Sequence, residues 1–101
     1  MRTTINGKKY TTRSAMCIGK YSKRYGWRDF RNITEKLYVN TLGEFFLAGY
    51  GGPWTHYAVY SGSEKHPGTG IIPLSIEDAC DWCKEHLKEG TYECYFEYNR
   101  G

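Results

Sequence analysis

No stretch of this chain approaches the roughly 18 consecutive apolar residues of a membrane-spanning helix, and the amino terminus, MRTTINGKKY, has no apolar leader core. The expectation is a cytoplasmic protein with no membrane partner. Ser14, Ser22, Ser61, Ser63 and Ser75 lie in no nucleophile-elbow motif. His56, His66 and His86 share no spacing. Gly49, Gly51 and Gly52 spell G-x-G-G, but the following helix and acidic partner of a dinucleotide site are missing, so they read as turn chemistry. With no catalytic constellation and no cofactor motif, the expectation is a protein that is not an enzyme and uses no cofactor. No internal repeat is visible, and 101 residues make a single domain, 1–101, large enough to bury a core without staples.

What the chain has in quantity is aromatic and basic. Phe, Trp and Tyr make up 17% of it, with ten Tyr and three Trp, a composition of β-rich or surface-binding proteins. The net charge of +3 conceals a split. Residues 1–36 hold ten Lys/Arg against two acids, or +8; residues 37–101 hold four against nine, or −5. That asymmetry points to an interaction surface in the first third; mutual neutralisation across the fold is the plainer alternative.

Two apolar runs, Leu37–Val39 and Glu44–Ala48, flank Asn40-Thr41-Leu42-Gly43 and predict a central β-hairpin over 37–52. Partial alternation extends its first strand back to about Phe30, with Phe30, Asn32, Thr34, Lys36 and Tyr38 on one face. Arg31, Ile33, Glu35, Leu37 and Val39 share the other. Asn6-Gly7 predicts a first strand or small ribbon. Residues 11–21 suit a strand or a short helix, and 22–29 a polar loop around Gly26. Residues 54–60 suit a helical turn or a strand, and 61–70 a flexible loop. Ile71–Leu74 reads as a short strand whose Pro73 indicates an edge or an end. Ser75 caps a helix from Ile76 to about Lys88, with Glu77 and Asp78 in its first turn and Gly90 as the residue beyond its end. Ile76, Ala79, Cys80, Cys83 and Leu87 form its apolar face. Thr91–Tyr98 alternates as a last strand. The fold class is therefore α+β: a small antiparallel sheet of four to five strands with one main helix, about 76–88, on one face.

Two constellations carry chemistry. Cys80 and Cys83, with His86 three further on, invite a zinc reading. A helical CxxC supplies two of the four ligands of a structural site, and both cysteines also fit the buried stripe as small apolar residues. The expectation is no metal. The stretch Lys20–Arg31, KYSKRYGWRDFR, sets five basic residues among Tyr21, Tyr25, Trp27 and Phe30. Cations neutralise phosphates, exposed aromatics stack on bases, and Arg, Tyr and Trp dominate protein–protein hot spots. The candidate partner-binding residues are Lys20, Lys23, Arg24, Tyr25, Trp27, Arg28 and Arg31, for contact with protein, RNA or DNA.

INGKKY, IGKYS, DFRNITEKLYVNTLGEFFLAGYGGP, HYA and GIIPLSIEDACDW together resemble a family of small proteins encoded on phages and mobile elements of gut-dwelling low-GC Gram-positive bacteria, over roughly residues 4–88. In that family the positions of Cys80 and Cys83 are not typically cysteine, so a metal site there would be private to this chain. Proteins of that size and source include many anti-CRISPR proteins. The resemblance thus implies an inhibitor in the bacterial cytoplasm that binds and sterically blocks a Cas effector, Cas9-type favoured, or its guide-RNA complex. A small nucleic-acid-binding accessory protein is the alternative.

Overall fold

The computed structural model of the chain describes residues 1–92 and Phe96. Among these residues eight strands precede one helix: β1 (Arg2–Ile5), β2 (Lys8–Thr11), β3 (Met16–Lys23), β4 (Ile33–Val39), β5 (Phe45–Gly51), β6 (Val59–Ser61), β7 (Glu64–His66), β8 (Gly68–Leu74) and α1 (Ile76–His86). The β4–β5 hairpin is the centre. Its turn is closed by Asn40, whose Oδ1 accepts from the backbone N–H groups of Leu42 (3.0 Å) and Glu44 (2.9 Å). This is the side-chain turn chemistry that makes Asn a turn residue. Register runs from Val39 opposite Phe45 to Ile33 opposite Gly51. β3 and β8 flank the hairpin, giving a four-stranded antiparallel sheet ordered β3-β4-β5-β8. Pro73 lies in β8, an edge strand, where a missing N–H costs no ladder bond.

Strand period separates two apolar sets. On one face Leu37, Phe45 and Leu47 pack against Ala79, Trp82 and Cys83 of α1, with Tyr92 and Phe96. On the other, Phe46, Ala48 and Ile71 are covered by Tyr10 of the β1–β2 ribbon. Tyr10 meets Phe46 edge-on at 5.5 Å, and Tyr38 stacks on Phe46. The ribbon turns at Asn6 (φ 52°) and Gly7 (φ 80°), the left-handed pair that Asn-Gly supplies at least steric cost. The sheet is thus sandwiched, helix on one side and ribbon on the other.

Several predicted boundaries move. The first central strand begins at Ile33; residues 30–32 belong to the preceding loop, although the facing of 33–39 is as the alternation predicts. Ser22 and Lys23 continue β3 instead of opening the loop. In place of the loop expected over 61–70, residues 59–66 form a second small ribbon, β6–β7, turning at Gly62, and β8 begins at Gly68. Gly49 and Gly51 lie inside β5 and serve close packing, not a turn. Ser75 caps α1 as expected, its Oγ accepting from Asp78 N–H at 3.0 Å. The helix stops at His86, with Leu87 as its cap, short of Lys88 and of Gly90. Trp82 is buried under the helix, whereas Ile76 of the expected stripe is exposed. The strand expected over 91–98 lies largely outside the described residues.

Candidate functional site

Residues 24–32 join β3 to β4 and carry most of the predicted binding residues. Two polar side chains shape this loop. Asn32 accepts from Tyr25 N–H at 2.8 Å and donates to the Gly26 carbonyl at 2.8 Å. Asp29 accepts from the Arg31 backbone N–H at 2.8 Å and from its guanidinium at two points, each 2.9 Å. Those bonds hold the Asp29 carboxyl down to about 2. The loop is also tied to the chain after β5: Gly52 N–H donates to the Asn32 carbonyl (2.9 Å), Trp54 N–H to that of Phe30 (3.0 Å). The Phe30 and Trp54 rings meet edge-on at 5.5 Å.

Within this frame the side chains divide. Arg24, Trp27 and Arg28 line one wall of a groove of about 470 Å³, whose floor and far wall include Thr34, Tyr50 and Thr69. Trp27 is 82% exposed, with the Arg28 guanidinium 4.4 Å from its ring centroid. Arg28 takes this pose from a left-handed backbone, φ 59°, uncommon for a long side chain. Tyr25 and Arg31 stack on each other at 4.0 Å and do not line the groove. Arg31 is also neutralised by Asp29. Lys23 lies over the Tyr25 ring, at 5.7 Å, and Lys20 stands on the sheet, not in the loop. Of the seven predicted residues the structure therefore brings three to one concave surface.

Tyr50, half-exposed on the opposite wall, was not among the predicted residues. It falls on an alternating strand as an outward position, and its place beside the loop depends on register with Thr34 and Thr69. Contacts within the described part of the chain neutralise little of the basic first third. Among the described residues only two of its cations form ion pairs, Lys8 with Glu44 at 2.7 Å and Arg31 with Asp29.

A second polar constellation lies on the helix face. Glu35, 5% exposed, accepts from Tyr57 Oη at 2.7 Å and Trp82 Nε1 at 3.3 Å, and His56 Nε2 lies 3.0 Å from Oε2. Burial and the Glu35 charge push the Tyr57 hydroxyl well above its ordinary range, so it stays protonated as a donor. Tyr57 fits because Glu35, Gly49 and Gly70 share one cross-strand row. A Cβ on Gly49 would overlap the Tyr57 ring. The carboxylate is matched by three donors, and the 470 Å³ groove is lined by none of these residues. The arrangement fastens residues 53–58 to the sheet and the helix.

Cys83 is fully buried in the helix-side core and Cys80 packs at its margin, while Cys17 is exposed on β3. The His86 ring stacks on Tyr21 at 3.8 Å. Among the described residues no three His, Cys, Asp or Glu side chains lie close enough together to hold a metal ion. No helix among them is long and apolar enough to cross a membrane. Comparison of the chain with protein-family models, with curated proteins and with solved structures finds no match.

Proposed function

We propose that the protein is a non-enzymatic inhibitor that docks the basic aromatic end of its sheet on a larger complex and blocks it sterically. The observation that carries this reading is the wall formed by Arg24, Trp27 and Arg28. It sets a tryptophan 82% exposed beneath a guanidinium, beside a groove faced by a second exposed aromatic. Exposed Trp and Arg at a concave surface are what interfaces use as anchors. The family resemblance supplies the target class: a bacterial Cas effector carrying its guide RNA, Cas9-type favoured. A net positive chain is a poor imitation of DNA, so the docking surface is an acidic face of the effector or its bound RNA.

The test is inhibition of target-DNA cleavage by a reconstituted Cas9-type effector. Wild type is expected to inhibit. Trp27→Ala is expected to lose at least tenfold in potency, equivalent to about 1.4 kcal/mol, as for an interface anchor. Arg24→Ala with Arg28→Ala should weaken inhibition further at low salt than at high salt. Wild type without effect on such effectors, or Trp27→Ala as potent as wild type, would overturn the reading.

A further inference from the structure

The groove continues into a positive strip on the open part of the sheet. Lys20 of β3 and Lys36 of β4 are register partners, directly opposite one another and both exposed. Neither forms an ion pair among the described residues, and neither do Arg24 and Arg28. Like charges directly opposite on one sheet face are destabilising, so the lysine pair lowers stability until an anion lies between its members. Two residues along both strands, about 7 Å on, Ser22 and Thr34 share a hydroxyl hydrogen bond of 2.9 Å. Thr34 is in turn the cross-strand partner of Tyr50. Beyond them stand Arg24, Arg28 and Trp27. One face thus presents, in order, a cation pair, the exposed Ser22 bonded to buried Thr34 with an aromatic ring beside them, and two further cations with a second ring.

We propose that this face binds a short segment of single-stranded RNA. One backbone phosphate lies at Lys20 and Lys36 and another at Arg24 and Arg28. One base stacks on Tyr50 and a second on the Trp27 face not covered by Arg28. A duplex keeps its bases stacked on each other and offers no free ring face, so the two aromatics select an unpaired strand. An acidic protein surface would satisfy the four cations but supplies no succession of planar groups for the two rings. The choice of RNA over DNA rests on the reading above, in which the target carries a guide RNA.

The test is fluorescence anisotropy of the intact protein with labelled oligouridylate, with the matching deoxy strand and with an RNA duplex, at two salt concentrations. Oligouridylate is expected to bind more tightly than either of the others. Tyr50→Ala should cost about 5- to 150-fold in affinity, whereas Tyr50→Phe, which keeps the ring, should bind like wild type. Each double change, Lys20→Gln with Lys36→Gln and Arg24→Gln with Arg28→Gln, should reduce the steepness of log affinity against log salt by about 1.4, for two fewer cations. Equal binding of duplex, preference for the deoxy strand, or an unchanged affinity in Tyr50→Ala would overturn the assignment. If oligouridylate fails to bind while the protein still inhibits an effector through Trp27, the surface docks on protein; the RNA assignment then falls and the inhibitor reading stands. Binding of oligouridylate without inhibition supports the RNA site and overturns the inhibitor.

Discussion

Glu35 shows what a single residue costs and contributes in this fold. A buried carboxylate is tolerable only when donors replace its lost water, and Tyr57, Trp82 and His56 do so. Tyr57→Phe keeps the ring against Gly49 but removes the 2.7 Å donor. It should lower unfolding free energy by about 1.5–3 kcal/mol, the range for a hydrogen bond to a charged group, as measured by urea denaturation. A change under 0.5 kcal/mol, within the ordinary scatter of surface substitutions, would show that Glu35 does not depend on this donor. Nothing local announces the cluster. Alternation places Glu35 on the Leu37 and Val39 face, but its partners lie 21, 22 and 47 residues away. Ser75, by contrast, was legible as a cap because its acceptor and the Asp78 donor are three residues apart.

At the scale of elements, the 24–32 loop is ordered by charge as much as by backbone. The Asp29 carboxyl, held down to about 2 chiefly by the Arg31 guanidinium, favours the folded loop whenever it is ionised. Its contribution is therefore present at neutral pH and down to about 4, the unfolded range, and fades as pH falls through about 2. Thermal melts of wild type and Asp29→Asn should differ by a constant interval from neutral pH to about 4, and the interval should close toward pH 2. A gap that stays open at pH 2 would place the effect elsewhere. The elements themselves were largely readable: the central hairpin from its Asn–Gly turn, the helix from its cap, the terminal ribbon from Asn6-Gly7. The β6–β7 ribbon was not, because three-residue strands show too little alternation to rise above a Ser–Gly-rich composition. Nor was the use of Gly49 as a berth for Tyr57, since a glycine required by close approach looks in sequence like one required by a turn.

For the whole molecule, the sheet has its two faces covered unequally. Helix α1 takes one face, and the β1–β2 ribbon takes only the Phe46, Ala48 and Ile71 part of the other. The remainder, at Tyr50 and Thr69, stays open beside the basic aromatic loop. The charge split in the sequence directs attention to the first third. Which three of seven residues share that surface, and that Tyr50 faces them, depended on strand register that no composition encodes. The central claim is that this end is the docking surface. Backbone hydrogen exchange of the intact protein, alone and with a guide-loaded Cas9-type effector, tests it most directly. Exchange should slow across residues 24–32 and 50–55 while the exposed turn at residues 40–43, at the far end of the β4–β5 hairpin, is unchanged. Protection confined to 40–43 or to the helix, with 24–32 exchanging as in the free protein, would contradict it.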